Sequence, residues 1–283
     1  MNLSAPLRRE LAQRARKYAE AHGLAHSLSY GEVPVVCFAP DDVRHGNFLP
    51  ASYKAILASP FWRRRLAKIH AQAKRSLPTA DRGRWMELDS CMSSDALLMN
   101  IFCHPHVWRA GALEMLGLTE STVPEFGYKA RVPLLNERYD RTEVDMRLSQ
   151  MLVEAKLTEG DFQKAEKKVL ERYRDFQDVF EKKQLPQSDT HYFSYQLLRN
   201  VLAAHATQNS FCVFVDARRP DLIEAWYAVM RCVQPMELRT RLRVLTWQEL
   251  CGSLSPQLQE FLAAKYGIES GTSGLDIFGH PIG

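Results

Sequence analysis

The chain lacks the signatures of several function classes. Its six cysteines (Cys37, Cys91, Cys103, Cys212, Cys232 and Cys251) form no CxxC pair and no zinc-finger spacing. With no signal peptide in view, reduced thiols in a cytoplasm are expected. No uncharged apolar run approaches the roughly 18–20 residues needed to span a bilayer, so no membrane partner is expected. No glycine-rich phosphate loop is present. The stretch 267–271 lacks the lysine and the strand context of a P-loop, which excludes an ATPase motor. Ser93-Ser94 lacks a G-x-S-x-G setting, which argues against a hydrolase nucleophile. Internal repeats and low-complexity linkers are missing too. Charge of one sign is not abundant: the net +4 permits a nucleic-acid partner without arguing for one.

What is present is a chain of 283 residues, 46% apolar, enough for one large domain or a core domain with an added lobe. Helical spacing runs over 5–22, and a basic helix is expected over 52–75. Good N-cap residues open a buried-looking helix over 93–102, and a short helix is expected over 113–116. Residues 123–135 read as extended, because Pro124 and Pro133 disfavour helix. A β-hairpin follows at 142–148 and 151–157. Apolar residues at helical spacing (Phe162, Ala165, Val169, Tyr173, Phe176 and Phe180) predict one long amphipathic helix over 161–183. A second helix is expected over 190–206, a buried strand over 211–215, a helix over 221–230, a last strand over 242–246 and a helix from Trp247. Helices alternating with apolar strands predict an α/β fold with a mixed sheet covered on both faces. The expected organisation is a helical N-terminal lobe over 1–85, a core domain over 86–266 and a loose tail over 267–283.

The hairpin carries the chemistry. Residues two apart in a strand share a face, so Glu143, Asp145 and Arg147 point one way, as do Leu152, Glu154 and Lys156. Pairing across Ser149-Gln150 brings Asp145 near Glu154. Two carboxylates that close repel unless something positive sits between them. Mg²⁺ (or Mn²⁺) suits, because Mg²⁺ takes oxygen ligands and keeps several waters. Lys156 beside it could orient the attacking water or stabilise charge on a phosphate. The same letters would also describe an exposed hairpin with a Glu154–Lys156 ion pair.

These residues, with 93–102 as a first helix and Tyr195-Gln196-Leu197-Leu198-Arg199-Asn200 as a later one, resemble the PD-(D/E)xK nuclease superfamily over about 87–250. Within it they are nearest to uncharacterised bacterial restriction-endonuclease-like proteins. The resemblance implies a restriction-endonuclease-like mixed β-sheet core flanked by helices. It also implies a metal-dependent endonuclease that hydrolyses DNA, serving bacterial defence or DNA processing. Asp145 and Glu154 would be its metal ligands and Lys156 would complete the signature. The superfamily's leading proline is replaced by Val144. Glu125 could add a carboxylate to the metal site or be a surface glutamate. Gln196 could face the site, as a motif glutamine does in similar nucleases, or be a helix-surface or capping amide. Glu143 could be a neighbour on the metal side, but a salt bridge to Arg147 or Arg141 is expected instead. A catalytically inactive member of the same fold, binding nucleic acid or a protein, is the alternative, and a plain interaction protein with a charged hairpin edge is a further one. Cutting both strands of a duplex commonly needs two active sites, so a homodimer stays open.

Arg63, Arg64, Arg65, Lys68, Lys74 and Arg75, interleaved with Phe61 and Trp62, form the densest basic cluster and could neutralise phosphates. A solvated helix face with Trp62 packed inward is the ordinary alternative. Cys103-His104-Pro105-His106 has no second ligand pair, so structural roles are expected for it.

Overall fold

A computed structural model describes residues 3–29, 33–41, 43–69, 85–109 and 111–271. Lys74, Arg75 and most of the expected tail lie outside them. The chain forms two compact units, one of 1–121 with 246–283 and one of 122–245. Residues 86–121, grouped with the core domain in the sequence reading, fall in the first unit.

The first unit opens with helix α1 (Ser4–Ala21), whose Leu7, Leu11, Ala15 and Ala19 recur at helical spacing and are buried. Strands β1 (His26–Leu28) and β2 (Val36–Phe38) pair antiparallel. The single basic helix expected over 52–75 is instead broken. Helix α2 (Pro50–Ala58) stops where Ser59 turns extended ahead of Pro60, because the proline ring crowds a helical preceding residue. Ser59 then caps α3 (Pro60–Arg63) by accepting the Trp62 N–H, and a 3-10 turn over Arg64–Ala67 follows. Helix α4 (Ser94–Phe102) begins at the expected cap, with Ser93 Oγ accepting from Ala96 N at 3.1 Å. Helix α5 (Ala112–Leu116) is short, as expected. The unit closes with helices Trp247–Gly252 and Pro256–Tyr266.

The second unit is built on a five-stranded mixed sheet of β3 (Glu125–Lys129), β6 (Glu143–Leu148), β7 (Met151–Ala155), β10 (Ser210–Val215) and β11 (Leu242–Thr246). Its order is β11-β10-β7-β6-β3. The pairs β3–β6 and β6–β7 are antiparallel, and β7–β10 is parallel. Strands β4 (Val132–Pro133) and β5 (Tyr139–Asp140) form a small antiparallel pair before the hairpin. The core joins Leu152, Phe211, Val213 and Val215 of the sheet to Leu197, Leu198 and Val201 of α8 (Tyr195–Thr207) and to Trp226 of α9 (Pro220–Met230). Helix α10 (Met236–Arg239) leads to β11. The α/β reading, with helices flanking a mixed sheet, holds.

The long helix expected over 161–183 is a mistaken reading. In its place stand β8 (Lys164–Glu166), α6 (Lys167–Glu171), α7 (Phe176–Val179) and a 3-10 turn over Lys182–Gln184. Gln163 adopts φ 62°, which a helix interior does not accept. β8 pairs with β9 (His191–Phe193), so the second helix starts only at Tyr195. The backbone of 172–174 also bonds outward: Arg172 O accepts from Leu135 N, and Arg174 N donates to Pro133 O. Phe162, Tyr173, Phe176 and Phe180 are all buried. The apolar stripe marked what is inside the core without specifying the backbone that carries it.

Candidate active site

The hairpin turns through Ser149 and Gln150, with Ser149 at φ 49°. It pairs Leu148 with Met151, Arg147 with Leu152 and Met146 with Val153. One step further, Asp145 stands opposite Glu154. There the carboxylate takes over from the ladder: Asp145 Oδ2 accepts the N–H of Ala155 at 2.8 Å. On its other side β7 stays tied to β10, with Lys156 N donating to Phe214 O at 2.8 Å. The strands therefore present Asp145, Glu154 and Lys156 where β6 and β7 cease to pair.

Asp145 is half-buried, whereas Glu154 and Lys156 are 3% and 4% exposed. The exposed-hairpin alternative does not describe them. Lys156 Nζ lies 2.5 Å from Glu154 Oε1 and 5.6 Å from the centre of the Phe162 ring. Burial alone would depress this ammonium, but the surrounding charges of Glu154, Asp145 and Glu159 hold its pKa above the ordinary lysine value. A raised lysine pKa means the charged form persists below that value and is lost only as pH rises through it. At neutral pH Lys156 is therefore a cation and not a base.

The other Glu154 oxygen, Oε2, accepts from Asn200 Nδ2 at 2.8 Å. Asn200 Oδ1 accepts from Arg199 Nη1 at 2.7 Å, and Arg199 Nε lies 3.1 Å from Asp140 Oδ2. Asp140 also accepts from Tyr173 Oη and Thr142 Oγ1, each at 2.6 Å. Burial would raise its pKa, but hydrogen bonds from Thr142 and Tyr173, with the Arg199 charge, lower it to about 2. A depressed carboxyl stabilises the fold above its ordinary range and loses that contribution as pH falls through the folded value. The stability gap between wild type and Asp140→Asn, read by urea denaturation, should therefore shrink between about pH 5 and about pH 2. A gap constant over that range would remove Asp140 from the account.

The sequence reading named Gln196 and missed Asn200 and Arg199, both within the stretch it quoted. Gln196 lies four residues before Asn200, hence on the same stripe of α8. Its N–H donates to Phe162 O at 3.0 Å, and its buried Oε1 accepts no hydrogen bond from the protein. Glu125 sits opposite Arg147 in the β3–β6 register, and its Oε1 accepts from Arg147 Nε at 3.0 Å. Arg147 also lies over the Tyr128 ring, 4.2 Å from its centre. Glu143 approaches Lys129 at 3.9 Å.

The oxygens at the hairpin mouth fit a hard divalent cation with few protein ligands. Asp145 and Glu154 supply two carboxylates, and the orphaned Gln196 oxygen, one turn before Asn200 on α8, suits an ordered water. No group of three or more His, Cys, Asp or Glu gathers as a metal cluster among the described residues. A cation held here would therefore keep much of its own water, as Mg²⁺ does.

Elsewhere the sequence candidates divide. Arg65 Nη2 lies 2.6 Å from Asp95 Oδ2, and Lys68 Nζ lies 3.0 Å from the same oxygen and 2.9 Å from Glu87 Oε1. Burial would raise the Asp95 pKa, but Arg65 and Lys68 hold it low. Arg63 and Arg64 are exposed, and Phe61 beside them is 76% exposed with Arg64 5.6 Å over its ring. His104 is buried, accepts the His106 N–H at 3.2 Å and sits 3.4 Å from Gln257 Oε1, as expected of a structural residue. No helix among the described residues is long and apolar enough to cross a membrane.

A family described as restriction endonuclease associating with ARP matches residues 11–267. No curated protein and no solved structure matches the chain.

Proposed function

The chain belongs to that restriction-endonuclease family, and on that footing we propose that it is a metal-dependent endonuclease that hydrolyses phosphodiester bonds in DNA, serving bacterial defence or DNA processing. The observation that carries the reading is the convergence of Asp145, Glu154 and a charged, buried Lys156 at the point where β6 and β7 cease to pair.

Asp145 and Glu154 would hold Mg²⁺ or Mn²⁺. Such a cation, when bound, polarises a phosphoryl oxygen and makes water a stronger nucleophile near neutral pH. Asn200 keeps Glu154 turned toward Lys156. The Lys156 ammonium stabilises negative charge developing on the phosphate and orients water, since it has no lone pair with which to take a proton. Gln196 Oε1 offers an acceptor for that water. Glu125, paired with Arg147, would serve as a third acid only after giving up that partner. A catalytically inactive, nucleic-acid- or protein-binding member of the fold is the second reading, and the intact acidic pair with its lysine favours catalysis over it.

Supercoiled plasmid, single-stranded DNA and RNA, each incubated with Mg²⁺ or Mn²⁺, test the substrate class. The expected outcome is DNA cleavage. RNA cleavage alone would overturn the DNA assignment, and cleavage of nothing would favour the second reading.

Among the described residues of the basic cluster, the exposed Arg63 and Arg64 support a DNA contact, whereas Arg65 and Lys68 already meet Asp95 and Glu87. Reversing both to Glu should weaken binding in a low-salt shift assay, by about tenfold or more for two lost phosphate contacts. Metal affinity should not change. Arg65→Ala should instead lower stability by about 1.5–3 kcal/mol, because buried Asp95 loses one of its two cations and keeps Lys68. Unchanged DNA binding in the double reversal would remove this surface from the reading.

A further inference from the structure

Two arginines of the second unit are almost wholly buried, Arg199 at 1% and Arg219 at 0% exposure. They are used alike. Arg199 sets Nε 3.1 Å from Asp140, gives Nη1 to Asn200 Oδ1 as well, and reaches two successive backbone carbonyls with its terminal nitrogens. Its Nη1 donates to Glu143 O at 3.2 Å and its Nη2 to Thr142 O. Arg219 sets Nε and Nη2 on the Asp221 carboxylate at 2.9 and 2.8 Å. Its Nη1 donates to Glu159 O at 2.6 Å and its Nη2 to Gly160 O at 3.0 Å.

The carbonyls they hold are placed alike as well. Thr142 and Glu143 lead the chain into Asp145, and Glu159 and Gly160 lie just beyond Lys156. One arginine thus grips the chain entering β6 and the other grips the chain leaving β7. Between these points the regular ladder has ended at Met146–Val153, and the Asp145–Ala155 bond bridges the two chains. The second grip has a further effect. It fixes the turn in which Glu159 Oε2 accepts the Leu157 N–H at 2.6 Å, directly after Lys156 in the chain.

A buried guanidinium cannot shed its proton. Its planar fork satisfies a carboxylate and adjacent carbonyls at once, which a lysine cannot reproduce. We infer that Arg199 and Arg219 are positioning residues: paired clamps that fix the chain on either side of Asp145, Glu154 and Lys156 and so set the spacing of the site before any ligand arrives. The inference rests on the nuclease reading for its catalytic consequence, while the clamp itself is read without activity.

The test compares the full chain with Arg219→Lys, Arg199→Lys and the milder Asp221→Asn, with Arg174→Lys as a surface control. Melting temperature, amide hydrogen exchange over residues 155–160 and over 142–146, Mn²⁺ affinity, and kcat and KM on plasmid are measured. Exchange over 155–160 should accelerate at least tenfold in the Arg219 variant while the control matches wild type, and exchange over 142–146 should do so in the Arg199 variant. Mn²⁺ affinity and kcat should each fall about 10- to 100-fold, with KM changed less than twofold. If a clamp variant does not fold, Asp221→Asn should still give the same pattern at smaller size. Unchanged exchange, Mn²⁺ affinity and kcat in folded variants of an active protein would overturn the inference and leave the nuclease reading standing. A wild type that neither binds Mn²⁺ nor cuts, with exchange still accelerated in the variants, would overturn the nuclease reading and leave only the clamp.

Discussion

Lys156→Met is expected to lower metal-dependent cleavage by about 10²- to 10³-fold, the effect of removing one charge-stabilising donor from a reacting centre. It should also lower stability by about 3 kcal/mol, because Glu154 keeps its burial and loses its counter-charge. Both effects follow from one contact, Nζ to Oε1 at 2.5 Å between two side chains that are 5% and 3% exposed. Lys156→Arg separates them. It retains a cation beside Glu154, so much of the stability should return. Its planar fork does not reproduce an ammonium, so most of the activity should not. Cleavage rates and urea midpoints for the two variants check this. Full cleavage by Lys156→Met would remove the lysine from the chemistry.

Asp145→Asn has the second large expected effect. In wild type, Mg²⁺ or Mn²⁺ should raise the melting temperature, since a ligand that binds only the folded state adds about 2.7 kcal/mol at about 100 times its Kd. An amide in place of the carboxylate leaves Glu154 as the single remaining member of the acidic pair. The metal-dependent shift should vanish and cleavage should fall with it. The amide oxygen can still accept the Ala155 N–H, so the melting temperature without metal should change little. This separates ligand loss from unfolding. A metal shift that survives the substitution would place the cation elsewhere.

The hairpin was legible because strand alternation is a rigid rule. With a two-residue turn at 149–150, the register that opposes Asp145 to Glu154 follows from counting, and the apolar residues between them agree. Helix α4 was legible from Ser93, a cap whose hydroxyl does what its chemistry allows. The stretch 161–183 misled because helical periodicity records burial. Phe162, Tyr173 and Phe176 can be buried from a hairpin and short turns as well as from a helix. The ion pairs of the basic run were not legible. Sequence shows where cations are and not which acids meet them, and Asp95 and Glu87 reach Arg65 and Lys68 from about 20–30 residues away. Asn200 could have been found by placing Gln196 on a helix and stepping one turn on. Arg219 could not, because its partners Glu159 and Gly160 are joined to it only by the folded chain.

Incubating the wild-type protein with supercoiled plasmid and Mg²⁺ or Mn²⁺, beside the same reaction in EDTA and beside Lys156→Met, tests the central claim most directly. The account predicts nicked or linear product with metal, none in EDTA and little from the variant. Cleavage that persists in EDTA, or at the wild-type rate in Lys156→Met, would contradict it.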